Sequence, residues 1–539
     1  MAKKAHLWLF PAAVILGIVF DFLFWGRGIG FSFSVYMALL LAAGFWLAQR
    51  TGLKPAPPAL WLLLPIALLS LVSGVRTEPL TVLLSRTAAV GLLALFAISF
   101  LGGQWPRFGF VDYVYKLLGF IPQGLGLMRA NGAAPKSGAL RWLLPVGRGL
   151  LLALPLLGFL MVLLASADAF FAEWVERFFA DFERLPEFLL RGFIILVVAY
   201  MLAAAYSYAF ERSQKQALIG EDKPWVYPFI GFPEVTTVLV SVNLLLMVFV
   251  FVQFRYFFGG LANIVEGPAG FTFAEYARRG FAELVVVSLT LLGSFMLLSA
   301  LSKRENTRQH AWFAGLGFML FAQVAVILVS AFQRLLLLEQ AYGFSRLRTY
   351  PHVFMIWLGL LLLAVVVLEA WRRPRAFALA VLAASLGFVL SLPILNVDAF
   401  IVRANIAHAR EALIGSVHQN DPAASRLGSD GPLDYGYLAQ LSADAIPALV
   451  EGYRTAQAHG DEALAKPLAA GLACYFYFNP EKLQPDWREW NAAEAAARRA
   501  WADLQADPAF PAFSYTERED LPSVNLDGEA WSCYPQWQR

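Results

Sequence analysis

AWFAGLGFMLFAQVAVILVSAF at Ala311–Phe332, PHVFMIWLGLLLLAVVVLE at Pro351–Glu369 and AFALAVLAASLGFVLSLPI at Ala376–Ile394 are three apolar runs separated by short polar connections. About 20 apolar residues in a helix match the hydrocarbon thickness of a bilayer, and a helix satisfies its backbone polar groups without water. The second connection carries Arg372, Arg373 and Arg375. Cationic loops are retained on the cytoplasmic side, so the stretch reads as three consecutive spans with this hairpin inside.

Working outward, the same pattern recurs eleven times, at 7–25, 30–48, 59–74, 80–101, 145–166, 188–210, 234–257, 281–300, 311–332, 351–369 and 376–394. The first run follows Lys3 and Lys4 as a signal peptide would, but Asp21 interrupts it and no small-residue cleavage site follows, so it reads as an uncleaved span. Composition agrees: 59% of the 539 residues are hydrophobic and 15% charged, against roughly 45–50% and about 25% in soluble proteins. This excludes a disordered chain and argues against a wholly soluble one. Residues 1–397 hold 31 basic and 19 acidic groups, residues 398–539 hold 11 and 20. The expected fold is therefore an all-α polytopic bundle over 1–397 with a soluble, mainly helical tail over 398–539.

Alternate connections differ in charge. One set, from Lys3 through Arg50, Lys54, Arg107, Arg129, Arg212 and Lys303 to Arg375, holds eighteen basic residues; the other holds about ten, and its largest member, 167–187, is acidic. This predicts a cytoplasmic N-terminus and a tail docked on the extracytoplasmic face of a bacterial inner membrane. Residues 108–128 are apolar but carry Asp112, Lys116 and Pro122, and read as interfacial or re-entrant backbone on the cytoplasmic side. In 167–187, Phe171, Trp174, Phe178 and Phe182 recur at helical spacing, giving an amphipathic segment.

Catalytic strings are missing. No HExxH, GxSxG, GxxxxGK[ST] or CxxC occurs, and the six histidines never stand four residues apart, so neither a metal nor a cofactor is expected. The acidic tail offers no face for nucleic acid. Cys474 and Cys533 both fall in the tail, where an oxidising compartment would permit one disulfide.

Ionisable residues within spans need a partner. Asp21 and Arg86 stand at similar depth below the outer face, making an Asp21–Arg86 ion pair the candidate. The densest polar cluster lies at the outer ends of the later spans: Arg255, Arg278, Arg279, Glu283, Arg334, Arg346, Arg348, Asp398 and Arg403. Guanidinium forks suit phosphate and carboxylate. The cluster reads as an outward-facing Arg-rich vestibule for an anionic lipid headgroup or small molecule, with arginines that merely anchor helix ends as the competing reading.

Three strings there are recognisable: YARRGFAEL at Tyr276–Leu284, AYGFSRLR at Ala341–Arg348, and NVDAFIVRANI at Asn396–Ile406 followed by LDYGYLAQLSADAIPAL at Leu433–Leu449. They resemble bacterial integral membrane proteins of the domain-of-unknown-function families 4153 and 4173, closest to the second, over about residues 190–450. The resemblance implies a bacterial cytoplasmic-membrane protein and carries over no activity or catalytic residue.

In the tail, 434–441, 445–458, 462–476 and 491–504 read as helices, and the charge and proline density after Asp507 as an irregular end. Two functional classes follow: a transporter or lipid-handling protein with the vestibule as its entrance, or a sensor or assembly scaffold whose tail meets an envelope protein. An enzyme on lipid-linked substrates has weaker support.

Overall fold

In a computed structural model, the described residues are 2–119, 163–180, 185–214, 227–258, 281–418, 433–480, 486–518 and 521–534, with a few positions between 153 and 161 and Leu218. The helices are α1 (Ala2–Phe24), α2 (Phe31–Thr51), α3 (Leu63–Val75, preceded by the turn Pro57–Leu60), α4 (Pro79–Ser99), α5 (Phe110–Leu118), α6 (Ala169–Ala180), α7 (Leu185–Glu211), α8 (Phe232–Phe258), α9 (Phe281–Leu301), α10 (Thr307–Tyr342), α11 (Arg346–Ala370) and α12 (Phe377–Leu395). Among the described residues nine helices are long and apolar enough to cross a membrane, and α1 adds a shorter apolar stretch. These match ten of the eleven runs. The eleventh, 145–166, falls mostly outside the described residues. The fold is an all-α polytopic helix bundle.

Two compact units divide the chain. The first comprises Met1–Ala67, Val90–Trp105 and Tyr113–Gln216; the second Leu68–Ala89, Pro106–Asp112 and Ala217–Arg539. Within the first, α1 lies along α7 through a seam of small residues, Ala13, Ala199 and Ala203. Close backbone approach through small side chains is how helices associate where lipid gives no hydrophobic drive. Asn243 in α8 donates to the Leu316 carbonyl of α10 at 3.3 Å, and Gln323 of α10 donates to the Asn243 carbonyl at 3.2 Å, so the two amides join these helices of the second unit.

α10 starts at a capping box, in which Asn306 and Gln309 satisfy each other's end of the first turn. Its 36 residues extend about 54 Å at 1.5 Å per residue, well beyond a hydrocarbon core of about 30 Å. It turns into α11 at Gly343, whose φ of +71° suits a residue without Cβ. A Cβ there would also meet the Asn405 side chain.

The tail contributes α13 (Val397–His418), α14 (Tyr435–Ala439), α15 (Ile446–Ala458), α16 (Glu462–Phe478) and α17 (Ala492–Gln505). Its end corrects the sequence reading. Instead of irregular chain, β1 (Phe513–Arg518), β2 (Leu521–Leu526) and β3 (Glu529–Ser532) form an antiparallel sheet in that order. Asp527 and Gly528, both at positive φ, make the two-residue turn between β2 and β3. Cys474 of α16 and Cys533 after β3 are bonded, both wholly buried.

No break occurs at 397/398. Asn396, in the left-handed region, turns α12 straight into α13, and Leu392, Val397, Ile446, Leu468, Trp501 and Val524 share one core. By contacts, the tail belongs to the same compact unit as the spans within 217–397 and the segments 68–89 and 106–112.

Candidate functional site

The connection VRTEPL, Val75–Leu80, joins α3 to α4. Glu78 precedes Pro79 and acts as an N-terminal cap, accepting from the Leu80 and Thr81 amides at 3.0 and 2.7 Å. Buried Asp444 from the tail accepts from Thr77 N at 2.6 Å, Thr77 Oγ1 at 2.9 Å, Glu78 N at 3.0 Å and Arg76 Nη1 at 3.2 Å. Arg76 also donates to the Pro393 carbonyl at 3.0 and 2.8 Å. That carbonyl is in the last turn of α12 and needs an outside donor. Asn491 donates to the Ser73 and Arg76 carbonyls at 3.1 and 2.8 Å, covering the end of α3.

A second clasp lies beside the first. Arg346, opening α11, forks onto the two oxygens of Asp398 in the first turn of α13, its Nε 2.8 Å from Oδ1 and its Nη2 on Oδ2. Asp398 is wholly buried and also accepts from Ser442 N at 2.8 Å. Glu78 stands 3.9 Å from Arg346 and receives the Tyr350 hydroxyl. Tyr437 Oη accepts from Arg346 N at 2.9 Å, and burial pushes the Tyr437 hydroxyl above its ordinary value. Two guanidinium groups thus meet three carboxylates. Charge that could have attracted an anion is neutralised inside the protein.

The remaining candidates disperse. Arg348 donates to the Tyr342 carbonyl at 3.0 Å and to that of Gly343, closing its own loop. Arg334 donates to Gln253 at 3.0 Å. Arg403 is 65% exposed and 3.6 Å from an equally exposed Glu451. Glu283 is exposed in the first turn of α9, whereas Arg278, Arg279 and the side chain of Arg255 lie outside the described residues. Of the vestibule candidates, Arg346 and Asp398 come together as a closed pair, and Arg348, Arg334 and Arg403 have the contacts given above.

Asp21 has a partner that the sequence did not suggest. Its carboxylate meets Arg191 of α7 at 2.6, 3.1 and 3.2 Å, with Glu187 3.7 Å from the same guanidinium and Trp25 beneath it. Arg86 donates to Ser73 at 2.9 Å. The Asp21–Arg191 pair lies within the first unit, where α1 runs along α7. The first unit also holds an apolar groove of about 530 Å³ lined by Leu40, Val90, Leu93, Tyr200, Met201 and Tyr206.

Sequence reasoning missed Arg76, Thr77, Glu78, Tyr350, Asp444 and Asn491. The available signal was Arg-Thr-Glu before Pro79 between two spans, a cap sequence with too many polar groups for a bare three-residue turn.

The family described as Domain of unknown function (DUF4153) matches residues 63–452. The chain belongs to this family. The match covers both clasps and most of the spans, and extends beyond the 190–450 over which the resemblance was read. No curated protein and no solved structure matches the chain. This DUF4153 protein is a membrane protein whose family carries no assigned activity.

Proposed function

We propose that this DUF4153 protein is a membrane-embedded sensor or assembly scaffold of the bacterial inner membrane, its C-terminal region held on the extracytoplasmic side. The carrying observation is the double clasp: Asp444 on Arg76–Glu78 and Asp398 on Arg346 lock the tail to the span ends. Guanidiniums spent on internal carboxylates cannot also receive a headgroup, which weakens the vestibule reading. A lipid-handling role retains one observation, the apolar groove of the first unit, whose volume suits an acyl chain.

Parity supports the span count. Arg76 and Asp444 meet, so the chain returns to one side after an even number of crossings; the described residues between them supply seven candidate spans. Asp21 and Arg191 meet with three between them. Each closure needs an odd number of further crossings between α4 and α7. The run 145–166, read as a span from its sequence, would supply one, and a simultaneous crossing at 108–128 would break both closures. α5, nine residues long, reaches only about 14 Å. With the basic loops inside, eleven crossings leave the tail outside.

A phosphatase fusion after Arg539 tests the sidedness: it should be active, and a cytosolic reporter at the same point inactive. The opposite pattern rejects the reading. Arg334→Ala and Glu283→Ala should both restore a deletion strain to wild type; loss of function with normal membrane levels would favour a carrier.

A further inference from the structure

Where α10 meets α11, one acid is left outside both clasps. Glu339 is 1% exposed, and neither carboxyl oxygen has a hydrogen-bond partner among the described residues. His352 of α11 brings Nδ1 to 3.2 Å from Oε1, off the hydrogen-bonding direction, and its Nε2 is also buried without a partner. Phe332 covers the imidazole edge-on, ring centres 4.3 Å apart. Among the described residues, the neighbouring charged and polar groups have the following contacts. Arg348 feels the Glu339 charge but donates to the Tyr342 and Gly343 carbonyls. From α8, Gln253 is taken by Ser330 and Arg334. Glu283 of α9 is exposed.

A buried carboxylate without donors is unfavourable by several kcal/mol unless it takes a proton or a cation. A metal ion needs a ligand set of three or more; the described residues contain no group of three His, Cys, Asp or Glu that could hold one. A proton needs only this couple. We propose that Glu339 and His352 form a proton-binding site at the outer end of the bundle. One proton passes between Oε1 and Nδ1, interconverting the neutral acid–imidazole pair and the carboxylate–imidazolium pair. A second, taken from solvent through the 13% exposed histidine, leaves the acid protonated beside imidazolium.

Occupancy would be felt by the tail. Glu339 stands four residues before Gly343; the next residue, Phe344, is bracketed by Asn405 of α13, which accepts from its N at 2.7 Å and donates to its O at 2.9 Å. Arg346 follows, clasped to Asp398. This consequence rests on the sensor reading, whereas the site itself does not.

Infrared pH-difference spectra of the full chain in lipid nanodiscs test the site. The wild type should show a protonated-carboxyl band on acidification that is lost in Glu339→Gln and whose midpoint shifts in His352→Asn. Identical spectra in all three overturn the proposal. If Glu339→Gln does not fold, an unshifted midpoint in His352→Asn overturns it. Hydrogen exchange at residues 343–346 and along α13 separates the readings: a band without pH-dependent exchange keeps the site and rejects its coupling to the tail.

Discussion

Asp398 and Asp444 show how little a buried ion pair reveals about ligands until its neighbours are known. Each carboxylate has more than one donor, so each is fully satisfied, and removing a charge leaves a guanidinium half-buried without its counterpart. Asp398→Asn should destabilise the purified protein by about 3 kcal/mol, read as a lowered midpoint of thermal unfolding in detergent. Arg346→Lys should lower it too, since an ammonium cannot reproduce the two-point fork. Unchanged midpoints would mean that the tail is held by its apolar core alone. In the first unit, Asp21→Asn combined with Arg191→Gln should cost less than the two changes summed. The sequence placed Asp21 as a membrane acid but did not point to Arg191, because depth is a property of one helix and partnership is a property of two.

At the scale of elements, the spans follow from composition, whereas the ends of elements depend on local backbone geometry. Gly343→Ala forces a side chain into the left-handed region and toward Asn405. It should cost about 1–2 kcal/mol from backbone strain alone and loosen the α10–α11 hairpin, visible as faster hydrogen exchange at residues 341–347. The sheet was legible after all: VNLDGEAWS at Val524–Ser532 carries an Asp-Gly pair between alternating residues, a strong hairpin signal that the surrounding charge and proline obscured. Closing it, the Cys474–Cys533 bond ties the sheet to α16. Cys533→Ser should destabilise the tail by about 2–5 kcal/mol, and should be the variant whose proteolysis is confined to residues beyond Gln505.

For the whole molecule, alkaline pH should act on the tail. Tyr437, Tyr453, Tyr475 and Tyr515 all have hydroxyls raised above the ordinary value, chiefly by burial. The unfolded chain therefore loses these protons first, at about pH 10. Their contribution to stability is complete below that value and declines as pH rises toward the folded-state values. Tail unfolding followed by circular dichroism should show a decline that begins near this point. Crossing parity has its own check: single cysteines placed at Arg27 and Ser345 should react with an impermeant thiol reagent on intact cells, and ones at Lys54 and Arg373 only after permeabilisation.

The amino-acid sequence alone determined that this chain spans a membrane repeatedly, where most spans lie and that it ends in a water-compatible tail, because hydrocarbon imposes its length and polarity demands on each helix separately. Only the tertiary structure decided that Arg76 and Arg346 hold the tail, that Asp21 meets Arg191, and that Glu339 and His352 face each other with no other donor among the described residues. Those are relations between side chains up to several hundred residues apart. Helix periodicity says which face a residue occupies, and packing alone says what it meets there.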